Sequence, residues 1–291
     1  MKTLRLRVSA SPAEDQSMCA CLTADAVAEL VHAQFGRLPK TGKPAPNEWT
    51  VVAGIVAVPT AADGDCGTKP VVLALGTGTK CVGGDVAYDG RRVHDSHAEV
   101  VTRRSFVRFL YAEMLRLVSG GASPYMALQA PSSAASSSSG GEADPVFQWS
   151  SRWSLHLYVS QCPCGDACIV PKHAAATVGG ASADKGDVER TGAKPLPNGP
   201  QDTHQTGASY HERGLLRTKP GRGLTCASLS CSDKIARWNV LGLQGSLISK
   251  VCSPIYLSRI IIGGTVYNQA IATQALCGRV QGVVDLPHGY V

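Results

Sequence analysis

The amino-acid sequence predicts an α/β fold. Apolar, β-branched runs bounded by Pro, Asp and Gly alternate along the chain with segments of helical period. In addition, 44% of the 291 residues are hydrophobic and only 17% are charged, which is enough apolar surface for a sizeable core. No internal repeat is visible. One domain is therefore sufficient for this chain.

Four segments have the pattern of helices. In residues 23–36, Thr23 is suited to cap the helix, Val27 and Val31 lie on one apolar stripe, and Gly36 favours its end. Residues 97–118 form a longer pattern of the same kind. The remaining helices are predicted at 232–243, opened by Ser232 and Asp233, and at 269–278.

The strands are predicted at 49–58, 71–79, 154–160 and 255–264. Two polar segments rich in Gly, Ser, Ala and Pro interrupt this pattern, at about 119–146 and about 174–207, and we expect both to be disordered insertions. Residues 1–20 contain no periodic pattern and are expected to form a flexible N-terminus.

Charge and cysteine content limit the class of protein. The 28 basic and 22 acidic side chains give a net charge of +6, which is compatible with a nucleic-acid partner. No apolar stretch reaches 18 residues, so no membrane association is expected. The odd number of cysteines, eleven, favours a reducing compartment, nuclear and/or cytoplasmic. A transit peptide within the first fifteen residues is the alternative.

The sharpest local feature is the sequence His97-Ala98-Glu99 at the start of the long helix. This pattern can offer one metal ligand and one carboxylate to a single pocket. A histidine and a glutamate exposed to solvent would show the same pattern. Downstream, Cys164 follows Pro163 at a predicted strand-to-helix turn, where free backbone N–H groups favour a thiolate. Together they form the H-x-E…P-C pattern of zinc-dependent nucleobase deaminases.

The third ligand does not stand at its usual place. Position 167 is alanine, and Cys168 comes one residue later, about 100° away around a helix. Cys231 precedes a predicted helix as Cys164 does, and it supplies the missing thiolate. Cys162 and Cys168 are predicted to be bystanders.

At this point the sequence resembles a known family, the adenosine deaminases acting on RNA and their tRNA-specific relatives. The motifs are HAE (97–99), PCGDA (163–167), SCSDKIARWN (230–239), GTGTK (76–80) and PIYLSRIIIGG (254–264). The resemblance implies a cytidine-deaminase-like three-layer α/β/α core with a mixed central sheet. It also implies an editase domain over 21–291 that is shorter at its C-terminus than the family's full catalytic unit.

Further segments are similar to the tRNA-specific branch, namely RTGAKP (190–195) and GLLRTKPGR (214–222). The resemblance implies conversion of adenosine to inosine in tRNA, at the position 3′ of the anticodon in tRNA-Ala, without an obligate protein partner. It assigns zinc to His97, Cys164 and Cys231, and general acid–base catalysis to Glu99. Asp95 would lie near the reacting water and the buried polar network beneath it.

A group of cations follows the zinc-bearing helix starts. From spacing alone they form a solvated helix face. The resemblance instead implies that they bind inositol hexakisphosphate, in a cage left incomplete here because further lysines of the family's C-terminal section have no counterpart. The predicted ligands are Arg103, Arg104, Lys234, Arg237 and Ser246, with Trp238 and Gln244 nearby.

For RNA contact, Lys80 in GTGTK matches a backbone-contacting lysine of the family. Four further cations, Lys194, Arg217, Lys219 and Arg222, are placed in loops that could reach the tRNA backbone. Two other functions stay open at this point. The protein could edit other structured RNA, or it could be a fragment that binds RNA or inositol phosphate without turnover.

Overall fold

The computed structural model describes residues 2–5, 22–60, 68–84, 89–129, 146–171, 191–205, 209–219, 226–264 and 267–281. Within these ranges the strands are β1 (Lys2–Arg5), β2 (Val52–Pro59), β3 (Val71–Thr77), β4 (Thr79–Cys81), β5 (Asp95–His97), β6 (Met126–Leu128), β7 (Phe147–Trp149), β8 (Trp153–Val159), β9 (Lys194–Pro195), β10 (Arg217–Thr218) and β11 (Arg259–Ile262). The helices are α1 (Ala24–Gly36), α2 (Ala98–Val118), α3 (Cys231–Leu241), α4 (Gly245–Ile248) and α5 (Gln269–Leu276).

The central sheet has five strands in the order β1-β11-β8-β2-β3. β11 and β8 are parallel, whereas the other neighbouring pairs are antiparallel, so the sheet is mixed as predicted. β2 lies in the middle, and because helices cover both faces of the sheet its residues from Val52 to Val58 are all buried.

Alternate side chains of β2 point into two separate cores. Ala53, Ile55 and Ala57 face the core formed with α2 and α3. Val52 and Val56 face the core formed with α1. Because period-two alternation sends neighbouring residues to opposite faces, one buried strand serves both layers. The structure confirms the predicted three-layer α/β/α architecture.

Helix ends agree closely with the capping signals. Thr23 caps α1 by accepting a hydrogen bond from the backbone N–H of Ala26 at 3.2 Å. The start of α3 differs from the prediction by one residue, because Ser230 is the cap and its Oγ accepts from the N–H of Asp233. The predicted strand 255–264 is shorter as β11, since the backbone of Ile255 is hydrogen-bonded to Leu243 and the side chain of Gln244.

Three sequence predictions need correction. Residues 2–5 lie within the N-terminus expected to be flexible, but they form β1, which pairs with the outer edge of β11. The insertion predicted from about 119 contains β6, which pairs with β7. The insertion predicted at about 174–207 contains β9, paired with β10. Backbone hydrogen bonds between strands order these polar segments. Residues 130–145 and 172–190 lie outside the described part of the chain.

Candidate metal centre and active-site cleft

A small hairpin positions His97 at the start of α2. β4 and β5 pair antiparallel, with Thr79 opposite His97 and Cys81 opposite Asp95. Gly78 makes this close approach possible, because its φ is +137° and a Cβ there would lie 2.1 Å from the carbonyl oxygen of Ser96. His97 is thus the N-cap residue of α2, and its ring stands at the end of the helix.

Cys164 lies in the loop that follows β8. We expected a helix to begin there, but the structure has only a single 3-10 turn at Asp166–Cys168. The N–H that reaches the Cys164 sulfur comes from α3 instead, since the backbone nitrogen of Cys231 donates to Cys164 Sγ at 3.3 Å. Gly165 allows this contact, because a Cβ there would lie 2.3 Å from Ser230 Oγ. The helix terminus that favours the Cys164 thiolate is therefore that of α3.

The side chains of His97, Cys164 and Cys231 converge on one point. His97 Nδ1 lies 3.8 Å from Cys164 Sγ and 3.6 Å from Cys231 Sγ, and the three ligand atoms all lie within 4.8 Å of one another. Zn–S and Zn–N bonds of about 2.3 and 2.0 Å at a tetrahedral angle imply N···S separations of about 3.6 Å. The three donors therefore fit a zinc ion, and a histidine with two cysteines is a zinc-type ligand set.

Lys219 places a positive charge against the two sulfurs. Its Nζ donates to Cys231 Sγ at 2.7 Å and lies 3.7 Å from Cys164 Sγ. Burial opposes the ammonium form, but Cys231, Cys164 and Asp95 together raise the pKa of Lys219. A hydrogen bond from Cys231 lowers the pKa of the Cys164 thiol, with His97 and Lys219 adding to the effect. These contacts favour a thiolate at Cys164, whereas burial and a hydrogen bond with Cys164 raise the pKa of the Cys231 thiol.

Asp95 connects this lysine to His97 and to α3. Its Oδ1 accepts the backbone N–H of His97 at 3.0 Å and lies 3.4 Å from Lys219 Nζ. Its Oδ2 accepts from Ser228 Oγ at 2.9 Å and from the ammonium of Lys234. Desolvation opposes ionisation, but the two lysines lower the pKa of Asp95 and keep it a carboxylate. Asp95 thus contacts both the backbone of His97 and the lysine that donates to Cys231.

Glu99 lies on the first turn of α2 and lines the same cleft as His97 and Cys164. The cleft has a volume of about 1430 Å³. Only 3% of Glu99 is exposed. Desolvation and the neighbouring Cys164 raise the pKa of its carboxyl, while Lys219 opposes the shift. A buried carboxyl beside metal ligands is suited to accept and return a proton.

The two other cysteines of this loop make hydrogen bonds to the backbone. Cys162 Sγ donates to the carbonyl of Ala167 at 3.0 Å, and Cys168 Sγ donates to the carbonyl of Pro163 at 3.0 Å. Neither belongs to the group of convergent ligand atoms among the described residues.

Two cations assigned to RNA-reaching loops are instead buried. Arg217 is fully buried and Lys219 is 1% exposed, so neither side chain is accessible to an RNA backbone. Lys194 is exposed on β9, and Arg222 lies outside the described residues. The sequence contained one usable signal, because Arg217 and Lys219 are two residues apart, which places both on one face of an extended segment.

Arg217 ties the segment that carries Lys219 to the metal-binding loops. Its guanidinium contacts Asp202 Oδ1 at 2.6 Å and Oδ2 at 2.8 Å, and its Nε donates to Asp166 Oδ1 at 3.0 Å. Its backbone N–H donates to Asp233 Oδ2 at 3.0 Å. Because Asp166 follows Cys164 by two residues and Asp233 follows Cys231 by two, Arg217 fixes both thiol-bearing segments.

The residues predicted to bind inositol hexakisphosphate differ in their burial and in their partners. Arg103 stacks against Trp238, with its Cζ 5.4 Å from the ring centroid, and its Nε donates to the carbonyl of Leu243. Burial and the positive charge of Arg237 lower the pKa of Arg103. By contrast, Lys234 is paired with Asp95. Arg104, Arg237 and Ser246 are exposed, and Lys80 is exposed on β4 where it lines the cleft.

The chain belongs to the adenosine-deaminase (editase) domain family, which matches residues 74–291. It is an adenosine deaminase of the class that edits adenosine to inosine. The chain is 34% identical to human tRNA-specific adenosine deaminase 1, with 92% of this chain and 71% of that protein aligned. The Drosophila melanogaster protein of the same name is 38% identical, over 81% of this chain and 54% of its own length.

A mouse double-stranded RNA-specific adenosine deaminase is 33% identical over 88% of this chain and 21% of its own length. Both branches of the family therefore share this domain. Among the described residues, no helix has the length and apolar character needed to cross a bilayer.

Proposed function

We propose that this protein catalyses the hydrolytic deamination of adenosine to inosine in tRNA, at the position 3′ of the anticodon in tRNA-Ala. The observation that carries the proposal is the convergence of His97, Cys164 and Cys231 beside the buried carboxyl of Glu99 in a cleft. Similarity to the tRNA-specific adenosine deaminases 1 supports tRNA as the substrate.

His97 Nδ1 and the sulfurs of Cys164 and Cys231 would hold zinc, for which their spacing is suitable. When bound, zinc supplies the Lewis acidity that activates a water molecule near neutral pH. Asp95 holds the backbone of His97, and Lys219 balances the charge of the thiolates.

Glu99 moves the protons of the reaction. Its carboxylate accepts a proton from the attacking water and delivers one to the adenine ring. It then assists the departure of the amino group as ammonia. Adenosine and water are consumed, and inosine and ammonia are formed.

We also propose that the cations behind the metal centre bind inositol hexakisphosphate. Among the described residues no carboxylate pairs with Arg103 or Arg237, and burial together with the positive charge of Arg237 lowers the pKa of Arg103. Positive charges that lie close together and are partly buried favour the binding of a polyanion between them. Arg103, Arg104, Arg237 and Ser246 would donate to its phosphates, whereas Lys234 is already paired with Asp95. Native mass spectrometry of the purified protein tests this ligand.

The substrate is tested by measuring inosine in a tRNA-Ala transcript and in a long RNA duplex, with equal amounts of metal-loaded protein. We expect inosine in the tRNA at the nucleotide 3′ of the anticodon. The second candidate substrate is other structured RNA, which the similarity to the mouse double-stranded RNA-specific enzyme favours. Faster deamination of the duplex than of the tRNA would establish that alternative.

A further inference from the structure

Trp49 is a large aromatic side chain exposed at the active-site cleft. It is 65% exposed, and it lines the cleft that holds His97 and Glu99. The other three tryptophans of the chain are covered. Trp149 and Trp153 pack against Tyr125, and Trp238 is buried beneath Arg103.

The backbone on both sides of Trp49 is held in place. The N–H of Glu48 donates to the carbonyl of Ala45 at 2.9 Å, while Glu48 Oε2 accepts from the N–H of Ala45 at 3.1 Å. On the other side, the carbonyl of Val51 accepts from the N–H of Gly78 at 3.1 Å. The ring therefore stands on a fixed segment, and a ligand that covers it need not order the backbone first.

Charges around Trp49 select the chemistry of such a ligand. Lys43 and Lys80 line the same cleft, and Lys80 is exposed. Glu48 also lines the cleft, where its Oε2 accepts the N–H of Ala45, and Lys43 Nζ donates to the carbonyl of Gly36. A flat aromatic surface beside cations suits an unpaired nucleobase on a phosphate backbone.

We infer that Trp49 stacks on a nucleobase next to the edited adenosine. This inference rests on the proposed function. The edited base must reach Glu99, which is 3% exposed, whereas Trp49 is 65% exposed. The two side chains line one cleft at different depths, so a nucleotide bound at Glu99 brings its neighbour to Trp49.

Binding of a tRNA-Ala anticodon stem–loop to the full 291-residue protein tests the inference. All variants carry Glu99→Gln so that the RNA is not consumed. Trp49→Ala should weaken binding by about 5- to 150-fold, since stacking on an aromatic ring contributes that much per base. Trp49→Phe, which keeps a ring, should bind within about threefold of the parent. Leu115→Ala is the control, because Leu115 is 66% exposed and lies outside the residues lining the cleft.

An RNA that lacks one base separates stacking from a structural effect. Two RNAs are compared, one without the base 5′ of the edited adenosine and one without the base 3′ of it. The parent should bind one of these RNAs about 5- to 150-fold more weakly than the intact RNA. The same removal should cost Trp49→Ala less than about twofold, because the partner ring is already gone. Equal losses in parent and Trp49→Ala at both positions would overturn the inference, as would equal weakening by Trp49→Phe and Trp49→Ala.

Inosine formation by the protein with Glu99 intact is measured separately. If inosine appears in tRNA but Trp49→Ala binds like the parent, the inference is wrong and the proposed function stands. If the base-removal experiment shows coupling but tRNA is not deaminated, the proposed function is wrong and the stacking contact stands. Failure of the parent to bind the stem–loop would overturn the inference as well.

Discussion

The ammonium of Lys219 lies 2.7 Å from the sulfur of Cys231, and 3.4 Å from a carboxylate oxygen of Asp95. One buried lysine thus contacts a candidate metal ligand and the carboxylate that holds the backbone of another candidate, His97. Groups around a ligand set of this kind orient it and adjust its basicity.

Lys219→Met should weaken zinc binding by about 10- to 100-fold, because the thiolates lose their neutralising charge. Zinc affinity is measured by competition with a chromogenic chelator. Lys194→Met, which removes an exposed lysine from β9, should bind zinc like the parent. Unchanged affinity in Lys219→Met would contradict this account of the lysine.

Cys231→Ala and Cys164→Ala should each lose the bound zinc, whereas Cys168→Ala should keep about one equivalent. Among the described residues, the sulfurs of Cys231 and Cys164 lie within 4.8 Å of His97 Nδ1. The sulfur of Cys168 instead donates to backbone carbonyls. Metal analysis of the three purified variants checks this. Zinc loss in Cys168→Ala alone would mean that the ligand set is wrong.

Glu99→Gln should retain zinc and the overall fold but deaminate tRNA about 10²- to 10⁴-fold more slowly. The amide has the same size as the carboxyl but cannot carry the proton. Single-turnover measurement of inosine, together with metal analysis, separates chemistry from metal loss. A rate within about tenfold of the parent would exclude Glu99 as the proton-transfer group.

Arg217→Met should lower the free energy of unfolding by about 3–5 kcal/mol, because Asp202 and Asp166 would lose their closest buried cation and keep only His211 and Arg279 nearby. Urea unfolding gives this quantity. Arg37→Met is the control. Arg37 is exposed and donates to the side chain of Gln34 at 3.4 Å, so the loss should be below about 1 kcal/mol. Similar losses in the two variants would show that the buried network contributes no special stability.

The stability of the folded protein should fall as the pH decreases from about 6.5 to about 4. Burial and the charge of Arg259 lower the pKa of His156 to about 4, whereas an unfolded histidine has a pKa of about 6.5. Between these values the unfolded chain binds a proton that the folded chain does not, so unfolding is favoured as the pH falls.

The contribution of His156 is about 3 kcal/mol at most, and it does not grow below pH 4. His156→Gln should flatten the pH dependence of the free energy of unfolding in this window. The exposed His204 is the control, and His204→Gln should leave the slope unchanged. A slope in His156→Gln equal to that of the parent would assign the pH dependence to other groups.

Sequence patterns alone predict the α/β class, the caps of α1, and the order of the motifs around His97, Cys164 and Cys231. These depend on local period and on residue types whose chemistry is intrinsic. Local signals also placed Glu99 on the first turn of α2, because it follows His97, at a helix start, by two positions.

The charges that face the candidate metal centre are brought there by the folding of distant segments. Lys219 follows Cys164 by 55 residues, and its two-residue spacing from Arg217 indicates a shared face of the segment but not that this face is buried. Its position depends on the pairing of β10 with β9 and on Arg217, which meets carboxylates from three separate segments. Burial of a charge becomes favourable only when its distant partners are brought together, and that is a property of the folded chain.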